Sequence, residues 1–126
     1  MADSKAARRA DDPVTLEIIW GKLQAAADEM GMVLARSSMS PVIYEVLDFA
    51  CGVCDAKAQL VAQTNGITVF TGTFHGHIRT IIDKFGERMR PGDIYMANDP
   101  FTGGTHLSDV GIIKPIFVEG ELLAFG

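Results

Sequence analysis

The sequence predicts an α+β fold in which an N-terminal helix is followed by a mainly antiparallel sheet and a second helix. Two observations predict it: apolar residues recur at steps of three or four in two segments, and short runs rich in Val, Ile, Thr and Phe lie between turn residues. Helices and strands in this irregular order are typical of α+β domains. With 126 residues, 48% of them hydrophobic and 21% charged, the chain is long enough for one globular domain or for part of a larger one.

The composition excludes several classes of function. The 11 basic and 16 acidic residues give a net charge of −5, so we do not expect the clustered positive charge that binds nucleic-acid phosphates. No stretch approaches the roughly 18 to 20 consecutive apolar residues of a membrane-spanning helix, and the N-terminus lacks the apolar segment of a secretory signal. The 2 cysteines do not make a disulfide framework. We therefore expect a soluble cytoplasmic protein without nucleic-acid or membrane partners.

The first helix is predicted to begin at Pro13, after a flexible leader of residues 1–11. Asp12 is suited to the N-cap position, and the fixed φ angle of proline suits the first helical position. The helix is predicted to end near Arg36, because three serines and Pro41 follow. Its apolar face consists of Leu16, Ile19, Leu23, Ala26, Ala27, Met30, Val33 and Leu34. We expect the Met and Ala positions of this helix to be core residues.

The rest of the chain is predicted to form short strands, one further helix and the turns between them. Residues 49–53 and 60–62 flank a plausible hairpin loop at 55–58. Isoleucines and a phenylalanine at helical spacing predict the second helix over residues 75–87. The other predicted elements are a strand within 66–74, a turn at 90–93, a strand at 94–97, a loop at 98–108, and strands at 110–118 and 122–125 that are joined at 119–120.

The segment 98–110 is the most informative for function. It contains two adjacent glycines, which let the backbone turn sharply and approach a ligand closely, and then His106 and Asp109 ahead of an apolar strand. An imidazole and a carboxylate at a strand edge are ligands for a divalent cation, although two ligands are too few for a complete site. The alternative is that both residues cap a turn. Asp99 has the same two interpretations, because Asn-Asp-Pro commonly opens a turn.

Glu45 and Asp48 form a second candidate site, since they interrupt an apolar run. If this run is buried, the two carboxylates need a cation or hydrogen-bond donors. The alternative is that both face solvent or pair with Arg36.

Other residues that can carry chemistry are interpreted as structural. Cys51 and Cys54 have Cys-x-x-Cys spacing, but neither a helix N-terminus nor a second ligand pair accompanies them. We expect them to be ordinary small buried residues. We expect His75 and His77 to cap a helix or to be partly exposed. The glycine pattern matches no phosphate-binding loop, so no nucleotide site is expected in this chain.

Several motifs together resemble the hydantoinase B/oxoprolinase family. The similarity runs in register from about residue 11 to the end of the sequence, and its most specific part is Asn-Asp-Pro followed by Gly-Gly-Thr-His-Leu and Asp-Val. The family includes the B component of ATP-dependent hydantoinases, the corresponding region of 5-oxoprolinase, and a subunit of acetone and acetophenone carboxylases. The matching segments are residues 12–19, 48–51, 60–63, 90–93 and 98–110.

The resemblance implies a two-component enzyme that hydrolyses a cyclic amide, of the hydantoin or 5-oxoproline class. A partner of the hydantoinase A type binds ATP and Mg and phosphorylates an amide or carbonyl oxygen of the substrate. The component that resembles this chain then processes the activated species at a metal site. ATP is needed because an unstrained lactam is a poor electrophile, and a metal ion can activate the attacking water.

The resemblance also implies which residues form the metal site. The family's His-Leu-x-Asp motif falls on His106 and Asp109, and a family carboxylate falls on Asp48, so these three are the expected ligands of a divalent Mn, Zn, Fe or Mg ion. Glu45 and Asp99 are expected to lie next to those ligands and to support them without binding the metal ion themselves. The resemblance assigns no catalytic residue in this chain.

Relatives continue with an Ala-His-His-x-Asp type of segment that supplies further ligands, whereas this sequence ends at Gly126. We therefore expect residues 12–126 to be the N-terminal part of a larger hydantoinase B/oxoprolinase domain, truncated at its C-terminus, and this chain alone to be inactive. Two alternatives stay open. One is a subunit of an acetone or acetophenone carboxylase-like enzyme, and the other is a non-catalytic module that packs against a larger partner.

Overall fold

The computed structural model describes residues 12–64 and 66–126 and confirms the α+β fold. The leader predicted at residues 1–11 lies outside the described residues. In chain order the elements are α1 (Pro13–Ser37), α2 (Pro41–Tyr44), β1 (Gly52–Asp55), β2 (Leu60–Gln63), α3 (Thr68–Phe85), a 3-10 turn (Gly86–Arg88), β3 (Tyr95–Ala97), a second 3-10 turn (Pro100–Thr102), β4 (Gly111–Ile113), β5 (Pro115–Val118) and β6 (Glu121–Phe125).

Helix α1 begins and ends where the sequence predicts, to within one residue. The Asp12 carboxylate accepts hydrogen bonds from the backbone N–H of Thr15 at 3.2 Å and from its hydroxyl at 3.0 Å. Pro13 occupies the first turn, where its missing N–H leaves no bond unmade. The helix ends at Ser37 rather than at Arg36. The one-turn helix α2 that follows is not predicted, although proline at its start is favourable for the same reason.

The predicted hairpin is present as the antiparallel pair β1 and β2. Its loop is closed by Asp55, whose carboxylate accepts from the backbone N–H groups of Lys57 at 2.9 Å and Gln59 at 2.8 Å. Ala58 adopts a φ of 66° within this loop. A short acidic side chain that hydrogen-bonds its own following backbone is typical of a tight turn, and here it fixes the register of the two strands.

The strands form two separate sheets. A four-stranded sheet has the order β2-β1-β6-β5, with every neighbouring pair antiparallel, and a two-stranded sheet pairs β3 with β4. The mainly antiparallel sheet of the prediction is therefore confirmed, but the strand expected over residues 110–118 is divided between the two sheets. The division falls at Lys114 and Pro115: residues up to Ile113 pair with β3, and residues from Pro115 onward pair with β6.

The prediction of a strand within residues 66–74 is wrong, because this segment forms the first turns of α3. The β-branched and aromatic residues that suggest a strand have a weak intrinsic preference, which tertiary packing overrides. Thr71 is buried on this helix, and the Thr73 hydroxyl donates to the carbonyl of Phe70 at 2.7 Å, so the helix accommodates both polar side chains. The helix predicted over residues 75–87 is thus α3, which begins earlier, at Thr68, and ends at Phe85. Gly86, the next residue, adopts a φ of 43°.

The main hydrophobic core lies between α3, the four-stranded sheet and the β3–β4 pair. It contains Cys54, Ala58, Ile78, Ile81, Met89, Ile113 and Phe125. Part of α1 packs on β2, where the Gln24 side chain donates to the carbonyl of Gln63 at 2.6 Å.

The apolar face predicted for α1 is mostly exposed, and Ala27 is its one fully buried member. The expectation that the Met and Ala positions are core residues holds for Ala27 and is wrong for Ala26 and Met30, which are exposed. Helical spacing marks an apolar face but does not say what covers it. Within residues 12–64 and 66–126, no helix combines the length and apolar character needed to cross a bilayer.

Candidate metal site

The candidate site lies on the connection between β3 and β4, which the sequence predicts as a loop. Asp99 opens this connection: its carboxylate accepts from the backbone N–H of Phe101 at 2.9 Å. Its carbonyl accepts from the N–H groups of Thr102 at 3.1 Å and Gly104 at 3.3 Å. The structure thus shows that Asp99 opens a turn and holds the beginning of the loop in shape. Its role in supporting the ligands of the cation site stays a prediction.

Two glycine contacts hold the loop close against α3. Gly103 has a φ of 114°, a conformation that side chains rarely adopt, and a Cβ built on it would lie 2.6 Å from the carbonyl carbon of Gly76. Gly76 in turn leaves room for Gly103, because a Cβ at that position would lie 2.8 Å from the Gly103 Cα. The Thr80 hydroxyl donates to the carbonyl of Thr102 at 3.0 Å and fixes the same approach. Both positions need glycine, because a side chain at either one would prevent this contact between the backbones of the loop and α3.

His106 and Asp109 face each other at the far end of the loop. The His106 Nδ1 lies 3.0 Å from Asp109 Oδ2, and the Thr105 hydroxyl donates to the same oxygen. The backbone N–H of Asp109 also donates to the His106 carbonyl at 3.2 Å, so the two residues close a turn. The His106 side chain is 73% exposed and that of Asp109 is 30% exposed. The pair is therefore open to a ligand from solvent.

Hydrogen bonding lowers the pKa of the Asp109 carboxyl. The largest cause is the hydrogen bond from the Thr105 hydroxyl, followed by the bond from His106. Both donors favour the ionised form, because they bond to the negative charge. Asp109 is therefore a carboxylate over the whole neutral range, which is the form that binds a cation.

The imidazole of His77 is buried beneath this loop, contrary to the expectation that it caps a helix or is partly exposed. It is 5% exposed, and among the described residues its Nε2 has no hydrogen-bond partner. Burial lowers the pKa of His77, which favours the neutral ring. His75, in contrast, is exposed, as expected, and its Nδ1 lies 3.0 Å from the carbonyl of Ala58.

The remaining predicted site residues, Asp48 and Glu45, follow helix α2 and are not part of the site loop. Asp48 follows α2, is partly buried, and its backbone N–H donates to the Val42 carbonyl at 3.0 Å. Glu45 is exposed at the end of α2, in agreement with the solvent-facing alternative. Across residues 12–64 and 66–126, no three His, Cys, Asp or Glu side chains gather as a metal cluster. The structure thus brings together His106 and Asp109, and Asp48 as a third ligand stays a prediction.

The two cysteines are structural, as expected. Both are free thiols, with Cys54 buried and Cys51 half-buried. Burial raises the pKa of Cys51, and burial together with the charge of Asp55 raises the pKa of Cys54 to about 11. Since the thiolate is the reactive form, neither cysteine is activated for redox or nucleophilic chemistry.

Two residues of the site are not identified from the sequence. Thr105 has a local signal, because a hydroxyl four residues before Asp109 can reach it across a turn. His77 has no such signal, since its burial depends on glycines that lie 27 and 34 positions further along the chain, Gly104 and Gly111.

The chemistry of the pair fits a divalent cation as part of a larger ligand set. An imidazole nitrogen with an ionised carboxylate is a donor set that suits Mn, Fe and Zn. The His106 Nδ1 and the Asp109 Oδ2 lie 3.0 Å apart, close enough for both atoms to bind one cation in place of the hydrogen bond that now joins them. Two protein ligands are fewer than such ions take, so the pair is an incomplete site by itself.

Comparison with known proteins places this site in a family context. The sequence model of the hydantoinase B/oxoprolinase family matches residues 12–126. The 5-oxoprolinase 1 of Arabidopsis thaliana is 35% identical over 121 residues, which are 96% of this chain and 10% of that protein. The putative B component of a D-/L-hydantoinase from a Pseudomonas species is 36% identical over 118 residues, which are 90% of this chain and 20% of that protein.

Two solved structures share the fold. An acetone carboxylase in its nucleotide-free form superposes with a TM-score of 0.84 at 23% identity, over 93% of this chain and 16% of the other. The ATP-dependent caprolactamase from Pseudomonas jessenii superposes with a TM-score of 0.77 at 29% identity, over 90% of this chain and 20% of the other. The chain spans about a tenth to a fifth of the length of the curated relatives it matches.

Proposed function

Because this chain belongs to the hydantoinase B/oxoprolinase family, we propose that it acts in the ATP-dependent hydrolysis of a cyclic amide of the hydantoin or 5-oxoproline class. A partner of the hydantoinase A type binds ATP and Mg and activates the substrate. The observation that carries the proposal is the His106–Asp109 pair, held on a rigid glycine-rich loop inside the family match.

The proposal divides the chemistry between two components. An unstrained lactam has a poor leaving group and a weakly electrophilic carbon, so water alone opens it slowly. Phosphorylation of the amide oxygen by the partner makes that carbon electrophilic and supplies the driving force. The names of two similar proteins, a component of a hydantoinase and an ATP-dependent caprolactamase, support this division.

His106 and Asp109 would hold a divalent Mn, Zn, Fe or Mg ion together with further ligands. Such an ion, when bound, supplies a Lewis acid that activates water at neutral pH. The residues of this chain prepare the site for it. Asp109 stays ionised because Thr105 and His106 donate to it, and the same contact holds the His106 and Asp109 side chains next to each other. Asp99 fixes the beginning of the loop through the hydrogen bonds described above.

A chimeric enzyme tests the proposal directly. Residues 12–126 would replace the matching segment of the P. jessenii caprolactamase, and ring-opened product would be measured with ATP and with caprolactam, hydantoin or 5-oxoproline. We expect ATP-dependent hydrolysis of at least one of these amides, and a loss of at least tenfold in the His106→Ala chimera, in line with the roughly 10- to 100-fold cost of disturbing a metal site. His75→Ala is the matched control and should keep the activity.

A His106→Ala chimera that is as active as its parent would show that the His106–Asp109 pair is not needed for the reaction. A chimera that turns over no substrate but still assembles with the caprolactamase partner would favour a non-catalytic interaction module.

The second candidate is a subunit of an acetone carboxylase-like enzyme, in which a ketone and bicarbonate replace the lactam and water. The shared fold with acetone carboxylase is the observation that raises it. A shared fold does not fix the chemistry, so the substrates decide. Product formation from acetone, bicarbonate and ATP by the same chimera, without lactam hydrolysis, would select this candidate.

A further inference from the structure

The buried imidazole of His77 packs against two glycines, Gly104 in the middle of the site loop and Gly111 where the loop enters β4. A Cβ built on Gly104 would lie 3.2 Å from the His77 Nε2, and one built on Gly111 would lie 3.0 Å from its Nδ1. The residues between these two glycines include the whole pair, His106 and Asp109. The ring thus packs against the loop on both sides of the segment that carries the pair.

The Nε2 atom of His77 is a polar group in a costly position. It is buried in a ring that is 5% exposed and has no hydrogen-bond partner among the described residues. A buried nitrogen without a partner costs free energy that an apolar side chain of similar size does not. The Asp99 carbonyl also lies near Gly104, 3.1 Å from the same Cβ position, but it accepts no hydrogen bond from Nε2.

We propose that His77 is a positioning residue for the cation site: its ring packs against the loop so that His106 and Asp109 remain paired, with its unpartnered Nε2 next to Gly104 of the loop. The proposal rests on the proposed function for its cation. It explains why a histidine occupies a place where packing alone favours an apolar residue, since functional sites are where such local costs are retained.

The test uses the full 126-residue chain and Mn²⁺ as the probe, with the free ion followed by electron paramagnetic resonance. His77→Leu keeps the volume but removes the nitrogen, and His77→Gln restores a polar atom near the position of Nε2. We expect His77→Leu to weaken Mn²⁺ binding by about 10- to 100-fold, as is usual for residues that hold metal ligands in place. His77→Gln should stay within about threefold of the parent, and His75→Leu, the matched control on the same helix, should bind like the parent.

Hydrogen exchange gives a second readout that needs no cation. The Asp109 N–H donates to the His106 carbonyl in the turn that joins the pair. In His77→Leu we expect this amide to exchange at least about tenfold faster, while the amides of β1 and β6 keep their protection. A purely structural role for His77 would instead lower protection throughout the core.

The two readouts separate the proposals. Parental Mn²⁺ affinity and parental exchange in His77→Leu overturn the positioning role, as does a uniform loss of protection in both His77 variants. If the parent chain binds no Mn²⁺ but the Asp109 amide still exchanges faster in His77→Leu, the positioning role stands and the cation site of the proposed function does not.

Discussion

Asp109 accepts two hydrogen bonds at one oxygen, from the Thr105 hydroxyl and from His106 Nδ1. Both bonds favour the ionised carboxyl, which is why its pKa lies below the ordinary value of 3.8. A carboxyl whose pKa is lowered by folding stabilises the folded state above its unfolded-state pKa. That contribution is lost as the pH falls through the lowered folded-state value.

Replacing Thr105 with Val tests this explanation of the Asp109 pKa. The variant removes the larger of the two causes, so the pKa of Asp109 should rise towards its ordinary value while the bond from His106 remains. Acid titration of the Asp109 carboxyl carbon by NMR measures the change. Thr102→Val is a control on the same loop, because its hydroxyl donates to the Asp99 carbonyl and not to Asp109. An unchanged titration in Thr105→Val would contradict the assigned cause.

For single residues, the sequence predicts those roles that depend on neighbours a few positions away in the chain. His106 and Asp109 stand three positions apart behind two glycines, and the structure pairs them. Asp99 opens a turn, as one of its two interpretations from sequence predicts, and its role in the cation site stays a prediction. The expectation that His77 is exposed or caps a helix is wrong, because the site loop buries its ring. The sequence could not predict this, since the burial depends on a loop that lies far from His77 along the chain.

Among the elements, the approach of the site loop to α3 depends on Gly103. Gly103→Ala would place a methyl group 2.6 to 2.8 Å from the backbone of Gly76 and His77, at a φ of 114°. We expect a loss of unfolding free energy of about 1–2 kcal/mol from the backbone conformation and a further 1–3 kcal/mol, roughly, from overpacking. Urea unfolding measures the sum.

Gly120→Ala is the matched control for this substitution. Gly120 also has a positive φ, of 87°, but a Cβ there meets no atom within 4 Å. The control should therefore show the conformational cost alone. Equal losses in the two variants would mean that the contact between Gly103 and Gly76 does not hold the loop.

The cap of α1 gives a second prediction for an element. Asp12→Ala removes a side chain that accepts from the backbone and hydroxyl of Thr15, and should lower the unfolding free energy by about 0.5–2 kcal/mol. Ser40→Ala is the control, because Ser40 precedes α2 without a capping hydrogen bond from its side chain. Thermal unfolding of both variants checks the difference, and a Ser40→Ala loss as large as that of Asp12→Ala would contradict the cap.

The elements show where the sequence is informative and where it is not. Asp12, Pro13 and the Asp55 turn have local causes, and the structure confirms all three. The first turns of α3 do not: their threonines, valine and phenylalanine favour a strand, although they belong to a helix that packs on β1, β2 and the site loop.

At the scale of the whole molecule, the chain leaves much of α1 uncovered. Large apolar side chains along this helix are about half exposed, for example Ile18 at 54% and Val33 at 59%. Exposed apolar surface of this extent is typical of an interaction face. The helical spacing predicts the apolar face, but no pattern in the sequence states which surface covers it.

This surface predicts self-association of the isolated chain. We expect sedimentation velocity to show a concentration-dependent increase in mass, which the double variant Ile18→Lys, Val33→Lys should reduce. Because both side chains are already largely in water, the unfolding free energy should change by less than about 0.5 kcal/mol for each. Ala27→Lys, which buries a charge on the same helix, is the control and should unfold the chain. A parent chain that stays monomeric at every concentration would contradict the prediction.

The central claim is that His106 and Asp109 bind a divalent cation. Mn²⁺ titration of the full chain, followed by electron paramagnetic resonance, tests this most directly, with the Asp109→Asn and His106→Ala variants beside the parent. We predict that the parent binds Mn²⁺ and that each variant weakens binding by at least about tenfold, while His75→Ala binds like the parent. Equal binding by the parent and both site variants, or no binding by the parent, would contradict the claim.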